Sequence, residues 1–114
     1  MGLPPTQQKN AEALLNAFCD EHSPKEHLHH YRVTYIIRNP YITLYENRPS
    51  MRNKKKWTSI PIARMRFDPS ELTWELYWLD QNDKGHFYEG LAPTVNLGRV
   101  LREIEKDVTH IFFG

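Results

Sequence analysis

The sequence predicts an α+β fold: a five-stranded antiparallel meander sheet with an N-terminal and a C-terminal helix packed against it. Three observations lead there. Apolar residues recur with a helical period near both ends of the chain. They alternate with a period of two through the middle, and clusters of turn-forming residues separate the alternating runs. Short turns between successive strands favour antiparallel pairing, which leaves the helices to cover one face.

The first helix is expected over 5–22. Pro5 suits a first helical turn, good helix formers follow it, and Ala11, Leu14, Leu15 and Phe18 make one apolar stripe. Ser23-Pro24 ends it, because the residue before a proline disfavours helical angles. From Tyr31 the period changes to two: Tyr31, Val33, Tyr35 and Ile37 share a face of a strand over about 31–38. Arg38-Asn39-Pro40 signals a turn into a second strand over about 41–47, rich in β-branched and aromatic residues. A polar, basic connection then reaches a third strand over about 57–67. Its apolar positions, Ile60 and Ile62, shift phase to Ala63, Met65 and Phe67 around Pro61, which implies a bulge or an edge position.

Asp68-Pro69-Ser70-Glu71 forms the next turn. Leu72, Trp74, Leu76 and Trp78 alternate with polar residues in a fourth strand over about 72–79, and a turn from Asp80 to Gly85 leads to a short fifth over about 85–89. After Pro93 the stripe Leu97, Val100, Leu101 and Ile104 predicts a helix over 94–106. The tail 108–114 is apolar enough to dock on the core. No repeat, low-complexity segment or linker interrupts this order, so residues 1–114 read as a single domain.

Composition bounds the function. The 114 residues suffice for one core, and 39% hydrophobic with 25% charged residues is a globular balance. No stretch approaches the ~20 apolar residues of a membrane span, and Met1-Gly2-Leu3-Pro4-Pro5 lacks the features of a signal peptide. A lone cysteine, Cys19, cannot form an internal disulfide, which fits a reducing compartment and predicts a cytoplasmic protein. No motif calls for a cofactor.

Several spaced blocks carry a resemblance: Ile42-Thr-Leu-Tyr-Glu-Asn-Arg-Pro49, Trp57-Thr58 and Pro61-Ile-Ala-Arg64. So do Trp74-x-Leu-Tyr-Trp78-x-Asp80-x-Asn82, His86-x-Tyr88 and the ending from Glu103 to Gly114. Over roughly 31–114 the chain resembles the bacterial domain-of-unknown-function family 3024. It departs from that pattern at Ser50-Met51, where an aromatic is expected, and at Phe113, where a tryptophan is usual. The resemblance implies a bacterial origin and one intact domain, and it implies no activity, cofactor or catalytic residue.

Charge is the one feature that points outward. Between Glu46 and Asp68 there is no acidic residue, yet Arg48, Arg52, Lys54, Lys55, Lys56, Arg64 and Arg66 give a formal +7 within a chain of net +1. Such a segment attracts anions, and with Trp57 beside it as a stacking surface it is a candidate nucleic-acid or other polyanion site. The competing reading is a solvated loop, with Arg64 and Arg66 paired to Glu46, Glu75 or Asp80 across strands. The leading expectation is therefore a non-catalytic binding module with an acidic or nucleic-acid partner.

Three other constellations compete. Glu46, Asp80 and His86 are candidates for acid–base chemistry in a small enzyme, although no nucleophile accompanies them and Asp80 can simply close its turn. Cys19, His22, His27 and His29 offer zinc-type ligands at a spacing that matches no ordinary finger, so no metal is expected. Thr43, Tyr45, Tyr77 and Tyr88 are expected on the sheet face away from the core, where exposed aromatics would also suit a homodimer.

Overall fold

The computed structural model describes residues 3–23, 25–27, 31–53, 55–107 and 111–112. Its first helix, α1 (Pro5–Glu21), starts with Pro4 at the N-cap and Pro5 inside the first turn, where a missing N–H removes no helical bond. Ala11, Leu15, Phe18 and Cys19 form its buried face, while Leu14 is turned outward. After a short 3₁₀ turn at Lys25–His27 the chain enters five strands: β1 (Arg32–Arg38), β2 (Tyr41–Pro49), β3 (Trp57–Asp68), β4 (Thr73–Leu79) and β5 (Gly85–Phe87). Ser23 ties the end of α1 to the sheet, its hydroxyl oxygen accepting from the Val33 amide at 2.8 Å.

All neighbouring strands are antiparallel and the order is β1-β2-β3-β4-β5, the expected meander. The β1–β2 turn contains the cis Asn39–Pro40 bond. Leu44 lies opposite Ala63 and Tyr45 opposite Pro61, so Ile62 is the extra residue of a bulge at the phase change read around Pro61. The final helix, α2 (Leu97–Lys106), starts three residues later than its expected position at 94. The reason is a backbone bridge: Thr94 and Trp74 exchange N–H···O bonds of 2.7 and 3.1 Å, which holds the chain extended until Asn96 caps the helix. Leu72, expected in the fourth strand, is instead half-exposed in the turn at a φ of 55°.

Both helices contribute to one buried cluster with the inward side chains of the sheet, from Val33 on β1 to Leu76 on β4. Each large apolar side chain fully buried there contributes about 1.5–3 kcal/mol. Of the expected docked tail, Ile111 and Phe112 fall within the described residues: Phe112 is buried against Tyr88, with ring centroids 5.1 Å apart. The rest of 108–114 lies outside them. Among the described residues no element covers the opposite sheet face, and no helix is long and apolar enough to cross a membrane.

Candidate functional site

Alternation decides what the uncovered face carries. Ile42 and Leu44 point into the core, so Tyr41, Thr43, Tyr45 and Asn47 point away from it, and the register places partners beside each. Across the sheet, Arg38, Tyr41, Arg66 and Glu75 form one row, and Ile36, Thr43, Arg64, Tyr77 and Phe87 form the next. Arg32, Asn47 and Ser59 form a third toward the far end, with Trp57 close by. Four arginines thus share this face with the carboxylates of Glu75 and Asp68.

These arginines are not equivalent. Arg66 donates to Glu75 at 3.2 Å, and this hydrogen bond raises its pKa. Glu75 also accepts from the Tyr77 hydroxyl at 3.0 Å. Burial, then this hydrogen bond to Glu75, raises the Tyr77 phenol. The Arg32 guanidinium lies 4.5 Å from the centroid of the Trp57 ring and covers one of its faces. Arg64 donates to the neutral Thr43 hydroxyl, at 3.3 Å. Among the described residues neither Arg64 nor Arg38 has an ion-pair partner. Two depressions meet at this point: one of about 270 Å³ lined by Arg38, Tyr41, Thr43, Tyr45 and Arg64, and one of about 150 Å³ lined by Tyr41, Arg64, Tyr77 and Gly85.

The remaining basic residues divide. Arg52, Lys55 and Lys56 are exposed on the β2–β3 connection, a loop closed by backbone bonds from Ser50 to Lys56 and from Lys56 to Asn53. Lys54 lies outside the described residues. Arg48 belongs to β2, on its core-side parity, where its Nε donates to Glu46 at 2.6 Å and its guanidinium stands 5.3 Å from the centroid of the Tyr31 ring. It is therefore neutralised and turned away from Arg64.

Comparison with protein families matches residues 3–114 to the model described as a domain of unknown function, DUF3024. The chain belongs to that family. The match takes in α1 as well as the sheet, a wider span than the resemblance from Tyr31 onward. Comparison with curated proteins and with solved structures returns no match.

Other candidate groups of this DUF3024 chain are arranged for structural work. Asp80 and His86 do converge, Oδ2 to Nε2 at 2.8 Å, with the imidazole stacked on Trp78 at 4.4 Å. His86 also lines an open depression of about 750 Å³ with Tyr88 and Ile111. The other Asp80 oxygen accepts from the amides of Asn82 and Lys84, so the carboxylate clasps its own turn. The His86 hydrogen bond first, then the Lys84 amide, holds the Asp80 carboxyl down at about 2. Glu46 is two strands away on β2 and bound to Arg48, so the three residues do not share one site.

Cys19 is buried in the core, and burial pushes its thiol up to about 11. His22 turns instead toward Glu105, Nε2 to Oε2 at 3.5 Å, and the Glu21, His22 and Glu105 ligand atoms lie within 4.8 Å of one another. The His27 side chain and His29 lie outside the described residues. Tyr88 corrects one expectation: Phe87 takes the outward position opposite Tyr77, so Tyr88 alternates inward and donates to the buried Glu103 at 3.0 Å.

The residues that sequence reasoning missed are Arg38 and Tyr41. Their signal is parity, since Arg38 and Arg32 alternate against Val33 and Ile37, but seeing the two side by side requires the hairpin register.

Proposed function

We propose that the protein is a non-catalytic binding module that takes a phosphate-bearing polyanion along its uncovered sheet face and the adjoining 50–56 connection. The observation that carries this reading is the pair Arg38 and Arg64, two guanidinium groups flanking Tyr41 with no carboxylate ion-paired to either among the described residues. A cation already bonded to a carboxylate has little left to offer a phosphate. A free one releases the counterions of the polymer it neutralises and so adds to affinity. Arg52, Lys55 and Lys56 add a second basic cluster at the far end of β2 and β3, whereas Arg48 and Arg66 are discounted by Glu46 and Glu75.

The test is an anisotropy titration with labelled DNA and RNA over a salt series. Binding at about 50 mM salt should weaken steeply as salt rises, and Arg38→Gln with Arg64→Gln should together lower the salt slope by about two. Absence of any binding at low salt would overturn the proposal.

A further inference from the structure

Resting on the polyanion reading, we infer that the polymer is a single-stranded nucleic acid whose neighbouring bases seat in the two depressions on either side of Tyr41, with Arg64 on the phosphate between them. The depressions share Tyr41 and Arg64, and each adds a second phenol ring, Tyr45 in the larger and Tyr77 in the smaller. Every base has an aromatic face, so such rings bind bases without regard to sequence, provided that the bases are unpaired and free to splay. Among the described residues no carboxylate lines either depression, and the guanidinium at their junction is bonded to a hydroxyl and to no carboxylate. The lining is thus complementary to a stretch that alternates flat rings and negative charge.

A duplex fits this face poorly. Its bases are paired and stacked, so they offer the phenol rings no open face. A polyanion without bases would use Arg38 and Arg64 and leave the phenol rings idle. Gly85 keeps the smaller depression open: a Cβ added there would stand 3.5 Å from Arg64 Nη1 and 3.7 Å from Tyr77 Cβ.

The deciding experiment compares an oligothymidylate, an abasic strand of equal length and the matching duplex in the same salt. The base-bearing strand should bind at least about tenfold more tightly than the abasic one, and more tightly than the duplex. Tyr41→Leu should narrow the gap between base-bearing and abasic strands. Gly85→Val, which fills the smaller depression and removes no charge, should narrow it as well and serves as the test if Tyr41→Leu lowers the melting temperature. Equal affinity for base-bearing and abasic strands, or a preference for the duplex, would overturn the inference and leave polyanion binding standing. Failure to bind all three would remove the polyanion reading, and this inference with it.

Discussion

Arg66 and Glu75 face each other across β3 and β4 with Nη1 and Oε1 3.2 Å apart, one row from Arg64, which has no such partner among the described residues. A carboxylate placed among arginines sets how much of their charge reaches a ligand. Glu75→Gln should release Arg66, raise affinity for a polyanion and steepen the salt slope by about one. Anisotropy titrations over a salt series would read it, and an unchanged slope would show that Arg66 lies outside the contacted surface.

Arg48 and Arg64 make a matched contrast on adjacent strands. Arg64→Ala should lower the salt slope by about one. Arg48→Ala should change it much less, because Glu46 already neutralises that guanidinium on the other side of the sheet. An equal loss from Arg48→Ala would show that Glu46 does not withhold that guanidinium from the ligand, and a loss from Arg48→Ala alone would take the ligand off the Arg64 face.

Asp80 gives a pH signature. Its folded carboxyl titrates at about 2, below the usual 3.8, chiefly through the His86 hydrogen bond and the Lys84 amide. The folded state thus favours the ionised form. That stabilisation is complete above the unfolded value and disappears as pH falls through about 2. Wild type should melt above Asp80→Asn at neutral pH, and the two melting curves should converge as pH approaches about 2. A gap that is constant with pH would assign the effect to something other than ionisation.

How much of this was legible depended on whether a feature is local. The bulge at Pro61 could be read because a proline inside an alternating run, with a phase change beside it, has few other meanings. The turn clasp of Asp80 was legible for the same reason, since its partners are two to six residues away. The division of the basic segment was not. Whether a strand arginine is free depends on the strand opposite: Arg64 and Arg66, alike in composition, separate only once register sets Thr43 beside one and Glu75 beside the other. Leu72 fits the alternating pattern, yet a left-handed turn position takes it out of the strand.

Cys19 should behave as a core residue with no reactivity of its own. It is buried on the inner side of α1 and its thiol is pushed up to about 11, so little thiolate exists near neutrality. Labelling by a chromogenic disulfide at pH ~8 should be far slower for the folded protein than for the unfolded chain, and should accelerate with denaturant along the unfolding curve. Fast labelling of the folded protein would contradict the burial of this helix face.

Tyr88 joins the last strand to α2. Its hydroxyl donates to Glu103 Oε2 at 3.0 Å, while Arg99 Nη1 donates to Oε1 at 3.1 Å, so a buried carboxylate is satisfied from two elements. A hydrogen bond to a charged group contributes about 1.5–3 kcal/mol, and removing one partner leaves the other desolvated. Tyr88→Phe should therefore lower stability by about 1–3 kcal/mol, read as a lower urea midpoint with an unchanged slope. Glu103→Ala should lose more, because it strips the partner from both Tyr88 and Arg99. Gly90→Ala probes the same ring by another route: its added Cβ would meet the Tyr88 ring and its hydroxyl at 2.6 Å, close enough that the phenol or the backbone must shift. If Tyr88→Phe and Gly90→Ala both act through this hydrogen bond, the double variant should lose less than the two separate losses added together. Strict additivity would mean that Gly90→Ala acts on the backbone and leaves the Tyr88–Glu103 bond intact.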